Sequence, residues 1–133
     1  RIIEGGKYRD VNVIISGARH KPPKVADMKI QLSDFYYDLN AKKGINPIEL
    51  AAWTHAEFVK IHPFQDGNGR TSRLIMNYQL MANNYLPVSI PKESRFDYYD
   101  VLEKYALTGD LMPFMELIAL LEIQQLDNFL DFV

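Results

Sequence analysis

The chain is 133 residues long, 47% hydrophobic and 24% charged, with 7 Gly and 7 Pro, which suits one domain with its own core and excludes disordered, collagen-like and coiled-coil classes. With 15 Lys+Arg against 17 Asp+Glu the formal net charge is -2, so no global basic field gathers DNA or an acidic membrane, and any anion has to be held locally. The lack of cysteine excludes a disulfide framework and thiolate metal sites and fits a cytoplasmic setting, and no run nears the ~20 apolar residues of a membrane-spanning helix.

The first residue is Arg1 rather than Met, so residues 1–133 are expected to be a single domain core cut from a longer protein, with N-terminal flanking sequence missing and the C-terminal flank open. Val11-Asn12-Val13-Ile14-Ile15 is β-branched and lies between Gly5-Gly6 and Ser16-Gly17, which predicts a short strand and half of a small β-hairpin. From Lys24 to Lys43, Val25, Met28, Leu32, Phe35, Tyr36 and Leu39 recur at helical spacing, with Gly44 as the stop. Asn46-Pro47-Ile48-Glu49 joins an N-cap, a first-position proline and a first-turn acid, and opens a helix through about Ile61 that Pro63 ends. Leu74, Ile75, Tyr78 and Met81 predict a helix over Arg70 to Asn83. Two more follow, Asp97 to Leu107 and Pro113 to about Phe132, the last apolar nearly all round and expected at the centre or against a partner. The fold class is therefore all-α, a helical bundle with one small hairpin.

One loop concentrates chemistry: His62-Pro63-Phe64-Gln65-Asp66-Gly67-Asn68-Gly69-Arg70-Thr71-Ser72-Arg73. Gly67 and Gly69 flank Asn68, so positive φ can turn the amides inward as an anion nest at a helix N-terminus. Arg70 and Arg73 lie three apart in the first turns of that helix, where a cation opposes the macrodipole and an anion is needed to offset it. Two guanidinium forks suit the oxygens of a di- or triphosphate, and Asp66 offers a hard oxygen for Mg²⁺. His62, with an ordinary pKa of ~6.5, suits proton abstraction near neutral pH. An isolated histidine there would be read as a helix cap. His55 has no HExxH pattern or cysteine beside it and is read as structural. The glycines lack the spacing and the Gly-Lys-Ser/Thr ending of a Walker-type loop.

The run resembles the signature of the Fic-domain family, His-Pro-Phe-x-(Asp/Glu)-Gly-Asn-Gly-Arg-x-x-Arg, with every fixed position matched. Gly6-Lys7-Tyr8-Arg9 with Val11 to Ile15 is similar to the family's target-docking flap, and Ser94 to Tyr99 to the segment after its motif helix. The resemblance implies a Fic fold and transfer of AMP from ATP, with Mg²⁺, to a Ser, Thr or Tyr hydroxyl of a target protein. In that reading His62 is the base, Asp66 holds Mg²⁺, and the amides of Gly67, Asn68 and Gly69 with the Asn68 side chain bind the phosphates. Arg70 and Arg73 grip the outer phosphates, and Tyr98 and Tyr99 border the nucleotide, although adjacent residues of a helix cannot both face one way. Val13, Ile14, Ile15 and Ser16 would pair with an extended target segment through the main chain; without the resemblance they read equally as an ordinary edge strand. Where some members carry an adenine-contacting Asn, this sequence has Ala106. The same site could run in reverse, removing AMP by activating water, or could use another nucleotide or phosphodiester donor, and a non-catalytic nucleotide-binding module is the remaining alternative. Family members are often silenced by (Ser/Thr)-x-x-x-Glu-(Gly/Asn), whose Glu faces the second motif arginine, here Arg73. No full copy occurs, since Glu4-Gly5 lacks its Ser or Thr, so an inhibitory segment or partner chain from outside is expected.

Overall fold

In the computed structural model, which describes residues 4–133, five α-helices form the molecule: α1 Val25–Ala41, α2 Pro47–Ile61, α3 Asn68–Ala82, α4 Arg95–Thr108 and α5 Met112–Leu130. A 3-10 turn, Lys92–Ser94, leads into α4. Each helix starts where local chemistry lets it. The Asn46 side chain accepts the Ile48 N–H at 2.8 Å, with Pro47 in the first turn of α2. Gly67, at φ +84, lets α3 begin at Asn68, two residues before the expected Arg70.

The centre of the bundle is α2, not the last helix. It packs against α1, α3, α4 and α5, and its Ala51, Ala52 and Ala56 are buried small side chains that let neighbouring backbones come close. One apolar cluster joins these alanines to Met76 and Leu80 of α3, Tyr98, Leu102 and Tyr105 of α4, and Phe114, Ile118 and Leu121 of α5. A second joins Met28, Leu32 and Phe35 of α1 to Phe58 and Ile61. Trp53 touches both. Each fully buried large side chain stabilises by roughly 1.5–3 kcal/mol. The apolar stripe of α5 is core only in its first half, because Leu126, Phe129 and Leu130 are exposed. Its buried Glu122 holds the α3–α4 connection, accepting the Leu86 N–H at 2.7 Å, and burial pushes that carboxyl above its usual range.

The expected strand over Val11–Ile15, and with it the small β-hairpin, is not found: the described residues contain no strand. A β-branched run favours extended backbone, but a ladder needs a neighbouring strand to accept its hydrogen bonds. Here the main chain is engaged elsewhere. The Val11 carbonyl accepts from Arg9 Nη1 at 3.0 Å, and the Ile15 carbonyl takes the Ala18 N–H at 3.2 Å in a turn around Gly17. The segment is an irregular loop with Ile14 83% exposed. Its far side is pinned to α4, where the Glu103 carboxylate accepts the N–H groups of Arg19 and His20.

Candidate active site

The connection between α2 and α3 brings the chemistry-bearing residues together. His62 caps α2 with φ 54 and ψ 61, a left-handed conformation that costs a residue with a Cβ about 1–2 kcal/mol. Its N–H still closes the helix on the Phe58 carbonyl at 3.0 Å, and its own carbonyl receives Arg9 Nε at 2.6 Å. The ring Nδ1 faces the Val59 carbonyl at 3.4 Å. If that nitrogen carries the proton, Nε2 holds the lone pair that a base uses. Burial pushes the imidazole below its usual range, and the nearby Arg9 and His20 add to this, so it is neutral at pH 7.

Asn68 has a second task that the sequence does not show. Its side chain is buried and is spent inside the loop: Oδ1 accepts the Phe64 N–H at 2.9 Å, and Nδ2–H donates to the Phe64 carbonyl at 2.8 Å. The carboxamide is thus a loop clamp, with its second Nδ2–H left over. The main chain around it remains available. Thr71 is the first residue of α3 with a helical acceptor, the Gly67 carbonyl at 2.9 Å, while the Asn68, Gly69 and Arg70 N–H groups have no main-chain acceptor among the described residues. Three free donors at the positive end of a helix dipole make an anion site. The Gly67 N–H is held by Asp66 Oδ1 at 2.7 Å.

Only Gly67 has positive φ; Gly69 is helical, and what it supplies is room. A Cβ on Gly69 would stand 3.2 Å from Arg73 Nη1, and one on Gly67 would stand 3.4 Å from Arg70 Nη2. Helical side chains lean toward the N-terminus, so both guanidinium groups lie back over the turn that carries the free amides. Arg70 also meets Asp66 at 3.4 Å, an exposed pair worth little and easily exchanged for a ligand. Arg73 has no carboxylate partner among the described residues. Its Nη1 donates to the Tyr98 hydroxyl at 3.4 Å, which in turn lies 2.7 Å from His55 Nε2.

The two tyrosines divide. Tyr98 is buried with its hydroxyl on this chain of hydrogen bonds, whereas Tyr99 is 59% exposed. Both reach a groove of about 320 Å³ shared with Arg73, Asn77, Val88, Ser89, Ile90 and Arg95, at the lower end of the ~300–1,000 Å³ of small-molecule sites. It opens beside the phosphate-ready turn.

A family model described as Fic/DOC matches residues 1–80. The chain belongs to the Fic/DOC family. It is 45% identical over 130 residues to the protein adenylyltransferase Fic of Aedes aegypti, across 96% of this chain and 26% of that protein. The Culex quinquefasciatus protein of the same name is likewise 45% identical, across 96% and 25%. This chain thus spans about a quarter of the length of those curated relatives. Among solved structures it is similar to Fic-1 from C. elegans, with TM-score 0.81 and 34% identity, covering 96% of this chain and 37% of that one. A Fic-domain signaling protein from Bacteroides thetaiotaomicron gives TM-score 0.81 at 27% identity, covering 94% and 54%. The bundle is therefore a Fic fold.

The Fic loop offers one carboxylate for a metal. No group of three or more His, Asp or Glu capable of holding an ion occurs among the described residues, so an all-protein cage is ruled out there. Mg²⁺, which takes one or two carboxylates and completes its shell with phosphate oxygens and water, fits Asp66, exposed and beside the free amides. No described helix is long and apolar enough to cross a membrane. Sequence reasoning places Arg9 in the flap and reads His55 as structural, but it missed how they support the site: Arg9 lies buried beneath the His62 backbone, and His55 seats the Tyr98 hydroxyl. Glu4-Gly5 lies on the Asp66 and Thr71 side of α3, away from the groove that Arg73 lines.

Proposed function

We propose that this chain transfers AMP from ATP to a hydroxyl side chain of a target protein and releases pyrophosphate. The observation that carries the reading is the convergence on one loop of a neutral imidazole, three unused helix N-terminal amides and two guanidinium groups lying over them. The triphosphate binds across that helix end, its outer oxygens on Arg70 and Arg73. His62 accepts the proton of the target hydroxyl as its oxygen bonds to the α-phosphorus, and the bond from that phosphorus to the bridging oxygen breaks, so the electron pair leaves with pyrophosphate. Positioning and fixed positive charge supply most of the acceleration in such chemistry. Asp66 would hold Mg²⁺, which when bound offsets phosphate charge. The groove beside Tyr98 and Tyr99 receives the nucleoside.

The loop over Val13, Ile14, Ile15 and Ser16 is our candidate for docking the target. The 83% exposure of Ile14 on a loop with no strand partner among the described residues supports that role, since a partner segment can pair with its main chain. Arg73, free of any acidic partner among the described residues, is the group an inhibitory glutamate from a flanking segment or partner chain would engage. Incubation with ATP labelled on the α-phosphate, Mg²⁺ and a cell lysate tests the activity: a labelled protein band is expected, and its absence at saturating ATP would overturn the reading.

A further inference from the structure

Arg9 is 2% exposed, yet it has no carboxylate partner among the described residues. A buried cation is costly unless its charge is solvated, and here the solvent is a set of main-chain carbonyls. Nε donates to the His62 carbonyl at 2.6 Å and Nη2 to the Ile61 carbonyl at 3.4 Å. Nη1 donates to the Val11 carbonyl at 3.0 Å, and Nη2 also to the Pro23 carbonyl at 2.6 Å. The backbone N–H of Arg9 donates to the Pro63 carbonyl at 2.8 Å.

These acceptors fall into two groups. Ile61, His62 and Pro63 are the end of α2 and the start of the motif loop, where unpaired helix carbonyls and the negative end of the dipole favour a cation. Val11 and Pro23 are the two stems of the loop that carries residues 13–16. One planar fork therefore ties both ends of the docking loop to the backbone of the imidazole-bearing residue, which is itself held in a strained left-handed conformation.

We propose that Arg9 is a positioning residue that sets the docking loop and the His62 imidazole in one fixed relationship, so that a docked hydroxyl meets the base. This rests on the reading of His62 as base and residues 13–16 as docking loop. Four carbonyls in different directions need the guanidinium's five fixed donors, and a lysine ammonium has three. None of the hydrogen bonds of Arg9 goes to the phosphate-binding turn of α3, so nucleotide affinity is expected to stand apart from transfer.

The test compares wild type with Arg9→Lys. ATP affinity with Mg²⁺, measured by calorimetry, is expected to stay within twofold, while label incorporation into lysate protein at saturating ATP falls at least tenfold. An unchanged rate, or a parallel loss of affinity and rate as from general loosening, would overturn the proposal. A readout independent of activity separates this from the function itself. In ¹⁵N spectra of the wild type, the Arg9 Nε–H is expected as a resolved, slowly exchanging signal at neutral pH, whether or not any protein is labelled. A signal averaged with water would refute the tie even if Arg9→Lys fails to fold. Wild-type chain that labels nothing while keeping that signal would refute the transferase reading and leave the tie standing.

Discussion

Asn68 closes its carboxamide on both main-chain groups of Phe64, four residues earlier, at 2.9 and 2.8 Å. This pair is what shapes the motif loop, and Phe64 is in turn stacked on Tyr8 with ring centroids 5.4 Å apart. Asn68→Ala leaves two part-buried main-chain groups unpaired, at about 1–3 kcal/mol each. Thermal unfolding is expected to fall by several degrees and AMP transfer to drop with it, since the loop no longer presents its amides. A stable, active Asn68→Ala would mean that the clamp is dispensable.

Gly69→Ala separates stability from binding. The residue is helical, and alanine in a helix is favoured over glycine by ~0.5–1 kcal/mol, so the melting temperature should hold or rise. The new methyl would meet Arg73 Nη1 at 3.2 Å, displacing the guanidinium from the turn. Calorimetric titration with ATP and Mg²⁺ should show weaker binding by severalfold; unchanged affinity would remove Arg73 from the phosphate site.

Burial pushes the His55 imidazole down to about 3, against ~6.5 in an unfolded chain. A depressed histidine means the unfolded state binds more protons, so stability is full above about pH 6.5 and is lost as pH falls toward 3. Between pH 7 and pH 5 this amounts to about 2 kcal/mol, and His62, also held low by burial, acts in the same sense. The buried carboxyl of Glu122, raised by burial, works the other way, adding stability as pH falls toward its ordinary value of 4.5. Melting temperatures recorded from pH 7 to pH 5 should fall, and the fall should shrink in His55→Gln. An identical slope in that variant would show that His55 does not drive the acid limb.

Tyr98→Phe removes the hydroxyl shared by Arg73 and His55. A buried imidazole left without its partner costs about 1–3 kcal/mol, and the guanidinium loses its anchor in the groove. We expect lower stability together with severalfold weaker ATP binding. Loss of stability alone would confine Tyr98 to the core.

Much of this is legible in the sequence. The apolar spacing of Met28, Leu32 and Phe35 and the Asn46-Pro47 start placed their helices because helical burial repeats every three to four residues. The motif loop was legible because its residue types are chemically rare together. The strand over Val11–Ile15 was misread because β propensity describes a residue's comfort on a sheet and says nothing of whether a second strand exists. The contacts of Arg9 are hidden for a related reason: its partners are main-chain carbonyls at positions 11, 23, 61 and 62, which any sequence would supply. The direction of the Asn68 carboxamide was equally invisible, since one spacing allows it to face a ligand or its own loop.

The most direct test of the account is the pH profile of labelled-AMP transfer at saturating ATP and Mg²⁺, run for wild type and His62→Ala. The wild-type rate is expected to be level from pH 7 upward and to fall only on the acid side of about 6.5, because burial keeps the imidazole neutral to lower pH. His62→Ala should bind ATP as before yet transfer it ~10²–10⁴-fold more slowly, with that acid limb gone. A variant that transfers at the wild-type rate, or retains the same limb, would contradict the assignment of the imidazole as base.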